Sequence, residues 1–196
     1  INKALAIDKI NAKAYFMKGM TYKEMGDTAK AVSNFQTTVD QDGEYYHAFI
    51  QLGLIFSTRR NKLAIDYFNN AIKLNHKSVE ARYDLAMFYQ ENNETDKAII
   101  QYDSILRIEP KNKNAHFNLG YIQLVYLKDY KLAVQYFTNA ISCDSIYAEA
   151  YFNRGYCYEL TGYATNAKAD YHKAIEVRTN YQKAIEGLNR IEEGKK

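Results

Sequence analysis

An all-α fold, a solenoid of antiparallel helix-turn-helix hairpins, is predicted from three observations. Small residues recur at one position of a first helix as Gly19, Gly53, Ala86, Gly120 and Gly155, at steps of 34, 33, 34 and 35 residues. Two further columns keep the same step. Ala31, Ala64, Ala98, Ala133 and Ala167 open a second helix, and Ala4, Thr38, Ala71, Ile105, Ala140 and Ala174 sit near its end. Within each copy the spacing is helical, most clearly over Ala148–Asn180. There Tyr151, Gly155 and Tyr158 share one face of the first helix, Gly162 breaks the pattern, and Ala167, Tyr171 and Ala174 share one face of the second. Small residues let two helix backbones approach while the tyrosines fill the gaps beside them. A period near 34 residues describes an array in which each hairpin packs only on its neighbours.

The elements follow in order. Ala4, Leu5, Ala6, Ile7 and Asp8 align with Ala71–Asn75 and with Ala140–Asp144, the ends of later second helices. Residues 1–11 therefore read as the end of a truncated hairpin, and the chain as a fragment of a longer protein. The first full hairpin, 12–45, carries Tyr15, Gly19, Tyr22, Ala31 and Phe35, with Gly26 and Asp27 at its turn. The second, 46–78, keeps Phe49, Leu52, Gly53, Phe56, Ala64, Phe68 and Ala71 but is one residue short between Gly53 and Ala64. Its turn, Arg59, Arg60, Asn61 and Lys62, reads as a solvated turn beside a helix C-terminus, with a small anion-binding patch as the alternative.

The third hairpin, 79–112, has Arg82 in place of an aromatic, then Leu85, Ala86, Tyr89, Ala98, Tyr102 and Ile105, with its turn at Asn92–Thr95. The fourth, 113–147, carries His116, Leu119, Gly120, Ala133, Phe137 and Ala140, and one surplus residue within Gln123–Leu127. That bulky turn reads as a lengthened helix end tucked between hairpins, the alternative being a knob that docks a partner. After the fifth hairpin, 148–181, residues 182–196 read as a capping helix and a frayed tail. Ala184, Ile185, Leu188 and Ile191 form its inner face, and Glu186, Asn189, Arg190, Glu192 and Glu193 the polar surface a terminal repeat needs.

Composition narrows the function classes. The 26 basic and 23 acidic residues are interspersed and leave a formal charge of +3, which argues against a dedicated nucleic-acid or membrane surface. No apolar run approaches the roughly 20 residues of a membrane span. The start shows neither an initiator Met nor a signal-peptide pattern. A soluble protein is expected, with the cytoplasm preferred and the envelope or periplasm the alternative if an upstream signal segment has been removed. Cys143 and Cys157 are too few for a disulfide framework and read as free thiols. His47, His76, His116 and His172 fall at different repeat positions without paired ligand spacing. No glycine-rich phosphate loop follows a strand, and no nucleophile stands with a base and its orienting group. No enzyme activity, cofactor or metal is expected.

The motif of an aromatic, Leu-Gly, Tyr, Ala, aromatic, Ala and Pro, best kept at Tyr151, Gly155, Tyr158, Ala167, Tyr171 and Ala174, resembles the tetratricopeptide repeat over nearly the whole chain. Only Pro110 keeps the closing proline, and Thr179 replaces it in the last copy. The resemblance implies a right-handed superhelix whose first helices line a concave groove for a peptide segment of a partner protein. It also implies three groove-facing columns. The first reads Phe16, Ile50, Tyr83, Phe117 and Phe152, the third Met20, Leu54, Met87, Tyr121 and Tyr156. Chaperone-tail binders of the family place Lys and Asn in these two columns to clamp a terminal carboxylate, and that clamp is absent here.

The middle column reads Met17, Gln51, Asp84, Asn118 and Asn153. Its two asparagines resemble the asparagine ladder in the repeat domain of O-linked N-acetylglucosamine transferases, which holds an extended peptide by its backbone. An amide suits that task because it offers both a donor and an acceptor whatever the peptide sequence. The expected groove site is thus Gln51, Tyr83, Asp84, Met87, Phe117, Asn118, Tyr121, Phe152, Asn153 and Tyr156. Against it stands the reading in which the asparagines bond water and the aromatics are packed between hairpins. The expected partner is a protein or peptide. A self-associating module joined through the apolar edge at Ala4–Ile7 is the alternative. Nucleic acid is less favoured, since Asp84, Glu149 and Glu159 face little positive charge beyond Lys13 and Lys23.

Overall fold

Short polar side chains open many of the helices. Asn11, Asp27, Ser78, Asn112 and Asp129 each accept from the backbone N–H three residues on, at 2.9–3.1 Å, meeting donors that the first helical turn leaves unpaired. The computed structural model describes residues 11–194, and these are all-α. The helices are α1 (Ala12–Glu24), α2 (Thr28–Gln41), α3 (Tyr46–Ser57), α4 (Leu63–Leu74), α5 (Val79–Glu91), α6 (Thr95–Ile108), α7 (Lys113–Ile122), α8 (Tyr130–Cys143), α9 (Ala148–Leu160), α10 (Ala164–Val177) and α11 (Gln182–Glu192). The chain is an α-solenoid of antiparallel hairpins, α1 on α2, α3 on α4, α7 on α8 and α9 on α10. It divides into two compact units, Ile1–Gln101 and Tyr102–Lys196, with the boundary inside α6.

One contact recurs inside the hairpins. A β-carbon built on Gly19 would lie 2.6 Å from the ring of Phe35, and one on Gly53 2.5 Å from Phe68. In the second unit the same contact is slightly looser, with Gly120 against Phe137 at 2.9 Å and Gly155 against Tyr171 at 3.0 Å. The ring of the second helix lies flat on the bare backbone of the first, and all four rings are fully buried. The alanine columns finish the seam: Ala31, Ala64, Ala98, Ala133 and Ala167 are all at 0% exposure. A further buried column, Ala14, Ala48, Ala81, Ala115, Ala150 and Ala184, runs through the first helices and into α11.

Each hairpin turn contains one residue in the left-handed region: Gly26, Arg60, Asn93, Lys128 and Gly162, with φ of 76, 51, 60, 57 and 82°. Only two of the five are glycine, so the turn geometry belongs to the repeat and not to the residue. The surplus residue of the fourth hairpin is taken up as a π-helical turn over Gln123–Leu127, closed by Lys128. Gln123 and Leu124 are buried, whereas Val125, Tyr126 and Leu127 are 44, 38 and 50% exposed. The helix end is lengthened as expected, but it is not tucked away: a wider π turn swings its last three side chains outward.

Arg154 staples three helices of the second unit. Its Nε and Nη2 donate to Asp170 at 2.8 and 2.7 Å, and its Nη1 to Thr138 at 3.1 Å. Cys143 is half-buried and Cys157 buried, both free, and burial pushes the Cys157 thiol up to about 12. That thiol is held protonated and unreactive at neutral pH. Among the described residues no helix is long and apolar enough to cross a membrane, and no three potential metal ligands converge. Ala4–Ile7, on which the self-association alternative rests, lies outside the described residues.

Three outcomes follow. Gly53→Ala forces a methyl into the Phe68 ring and should cost about 1–3 kcal/mol in urea or thermal unfolding. Gly43→Ala, where a β-carbon meets open space at ordinary φ, should be neutral or gain up to about 1 kcal/mol. Asp170→Ala strands the Arg154 guanidinium and should cost about 3–5 kcal/mol, while Arg154→Met combined with Asp170→Leu should recover most of that loss in the same assay.

Candidate functional site

The first-helix face of the first unit is polar at its centre. On α3, Gln51 accepts from Lys23 of α1 at 2.6 Å. On α5, Tyr83, Asp84 and Met87 are all half-buried. Asp84 makes no hydrogen bond or ion pair within the described residues. Burial, with the Glu80 carboxylate one turn earlier as a second cause, pushes its carboxyl up to about 6. Nearby, Tyr46 shares a 2.5 Å hydrogen bond with Ser78 and donates to Glu80 at 3.2 Å.

The second unit carries the aromatic part. Phe117 lies 5.6 Å from Phe137 and 5.0 Å from Tyr147. Phe152 repeats this, 5.8 Å from Tyr171 and 5.5 Å from Tyr181. First-column aromatics are thus wedged between the second helix of their hairpin and the tyrosine that opens the next, while remaining half-exposed. In the third column, Tyr121 and Tyr156 pack around the same buried cluster of Leu124, Ala133, Phe137 and Cys157. Phe152 and Tyr156 stack with their planes 4° apart and centroids at 6.3 Å.

Both asparagines of the middle column take one posture. Asn118 Nδ2 donates to the Asn114 carbonyl at 3.0 Å, and Asn153 Nδ2 to the Glu149 carbonyl at 2.7 Å. One amide N–H is therefore spent on the helix itself, which fixes the side chain along the axis. Asn118 is the more enclosed, at 9% exposure.

Sequence reasoning missed one contributor. The sequence pattern puts Arg190 on the outer polar face of a cap, whereas its guanidinium reaches across to α9 and grips Glu159 with Nε and Nη2 at 2.9 and 3.0 Å. The signal was the repeat itself: Arg190 stands 34 residues after Tyr156, Gly187 34 after Asn153 and Ala184 34 after Ala150. So α11 continues the first-helix columns. A β-carbon on Gly187 would lie 2.5 Å from the Tyr171 ring, which is held between Gly155 and Gly187. The Tyr171 hydroxyl donates to Glu159. Burial works to raise the Glu159 carboxyl, but Arg190 and Tyr171 more than offset it and hold it below its ordinary value. Burial and the bond to Glu159 push the Tyr171 phenol far up, so it stays a donor.

Two cavities flank this triad, each of about 420 Å³. One opens on the stacked rings and is lined by Phe152, Tyr156, Glu159, Leu160, Lys183, Glu186 and Arg190. The other is lined by Glu159, Leu160, Gly162, Ala164, Arg190, Ile191 and Gly194. The arrangement offers aromatic surface, fixed amides and charged donors for holding a ligand. Among the described residues it has no nucleophile activated by a neighbouring base.

Known proteins place this architecture. Anaphase-promoting complex subunit 3 of Schizosaccharomyces pombe is 28% identical over 143 residues, 72% of this chain and 21% of that protein. A probable UDP-N-acetylglucosamine–peptide N-acetylglucosaminyltransferase, SPINDLY, of Hordeum vulgare is 28% identical over 137 residues, 66% of this chain and 14% of that protein. The chain thus spans a small part of the curated relatives it matches. The crystal structure of YrrB, described as a TPR protein with an unusual peptide-binding site, superposes with a TM-score of 0.76 at 18% identity, covering 96% of this chain and 97% of that one. Tetratricopeptide repeat profiles match residues 1–33, 57–119, 114–146 and 148–181. With its glycine-on-ring hairpins and these matches along most of its length, the chain belongs to the tetratricopeptide repeat family.

Proposed function

We propose that the chain is a non-enzymatic interaction scaffold whose first-helix faces hold an extended segment of a partner polypeptide. The observation that carries this reading is the cavity beside Phe152 and Tyr156, where groove-column residues of α9 and α11 meet around open space. Partner side chains bury against the half-exposed rings, and the Asn118 and Asn153 amides orient the backbone. The peptide-binding site named for YrrB supports the reading by analogy of fold. A contact of this size corresponds to about micromolar affinity, near 8 kcal/mol.

Asp84 adds support from the first unit. A carboxyl held half-buried on the first-helix face of that unit without a bonded partner costs folding stability, and such costs are concentrated where a surface serves binding.

Two tests apply. Peptides selected on an array against the full chain should bind about tenfold more weakly to the Asn153→Ala, Tyr156→Ala double variant, with unfolding midpoints checking that the fold survives; unchanged binding overturns the reading. For Asp84 the folded pKa stands above the unfolded one, near 3.8, so the folded state binds the extra proton between them and stability falls as pH rises from about 4 through about 6. Asp84→Asn should therefore raise the unfolding midpoint at pH 7.5 and leave it nearly unchanged at pH 4.

A further inference from the structure

The two arginine forks of the second unit are built alike and used differently. Arg154 spends all three nitrogens, two on Asp170 and Nη1 on Thr138. Its side chain is 18% exposed, and it is structural. Arg190 spends only Nε and Nη2, both on Glu159, and leaves the two N–H groups of Nη1 without an acceptor among the described residues. Its side chain is 37% exposed and lines both cavities. Glu159, in turn, is the less exposed partner at 15%, and it also accepts from Tyr171. The ion pair is thus anchored through Glu159 and Tyr171, while Arg190, with Nη1 uncommitted, lines the space beside the rings. Lys183 lines the same cavity and has no hydrogen-bond or ion-pair partner among the described residues. The remaining acid of the lining, Glu186, accepts from Gln182 at 3.0 Å along its own helix.

From this geometry we propose that the cavity between α9 and α11 selects an acidic side chain of the bound segment, next to an aromatic or aliphatic one. The apolar side chain lies on the Phe152 and Tyr156 rings, and the carboxylate reaches Arg190 Nη1 and Lys183. An internal residue is favoured over a chain terminus because a second cavity shares the Glu159, Leu160 and Arg190 lining with the first and offers further space beside the same arginine for the rest of the segment. The proposal rests on the groove reading above and adds the chemistry of the partner.

The test uses the full 196-residue chain and fluorescein-labelled hexapeptides. One has both ends blocked and a central Phe-Asp step, the second is its Phe-Asn counterpart, and the third is the Phe-Asn peptide with a free C-terminal carboxylate. Anisotropy titrations should show the blocked Phe-Asp peptide binding about tenfold more tightly than the blocked Phe-Asn peptide, as a charge-assisted bond to an open guanidinium predicts. Lys183→Glu, at an exposed position, should weaken the Phe-Asp peptide about threefold and leave Phe-Asn unchanged, while Glu186→Gln should strengthen it by a similar factor. Equal binding of the blocked Phe-Asp and Phe-Asn peptides overturns the acidic preference and leaves the groove reading standing. A gain seen only with the free C-terminal carboxylate overturns the internal-residue assignment. Binding of none of the three overturns both readings.

Discussion

A ring lying on a backbone without a β-carbon is the constraint on which these hairpins depend. Phe35, Phe68, Phe137 and Tyr171 each occupy the space a side chain would otherwise take on the facing helix. The gain is close approach: two helices meet through a flat face and a row of alanines, and dispersion contacts are made along the whole seam. The requirement is local and repeats with the sequence period, so four of the five hairpins solve the same packing problem with the same few residue types, and the third carries Ala86 in the glycine column. Stability in such an array is a sum of hairpin and neighbour terms. The Arg154 staple and the Tyr171–Glu159–Arg190 triad then add polar links at one end.

The fold was legible because its signal is repeated. Gly19, Gly53, Gly120 and Gly155 stand in one column, and a column of small residues facing a column of rings has few physical explanations other than close helix packing. The surplus in Gln123–Leu127 was equally visible, since a count that fails by one residue must be absorbed somewhere. Its outward swing was not visible. Whether Val125, Tyr126 and Leu127 turn in or out depends on the π geometry and the left-handed Lys128, which no composition encodes.

The candidate site was legible only in part, for a similar reason. Columns name the residues on the first-helix faces, but not what each side chain does with its hydrogen bonds. Asn118 and Asn153 spend a donor on their own helix, and Gln51 meets Lys23. Arg190 was misassigned because a polar residue on a terminal helix fits the expectation of a solvated cap. The reach of a guanidinium to a carboxylate 31 residues earlier is a tertiary fact. Carrying the 34-residue step one copy further would have found it.

The position of Tyr171 also bears on motion. Its ring is clamped on one side by Gly155 of α9 and on the other by Gly187 of α11, and its hydroxyl is tied to Glu159. A phenol so confined can rotate about its long axis only when the two helices part for a moment. The flip rate of that single side chain is therefore a clock for the breathing of the helices that flank it.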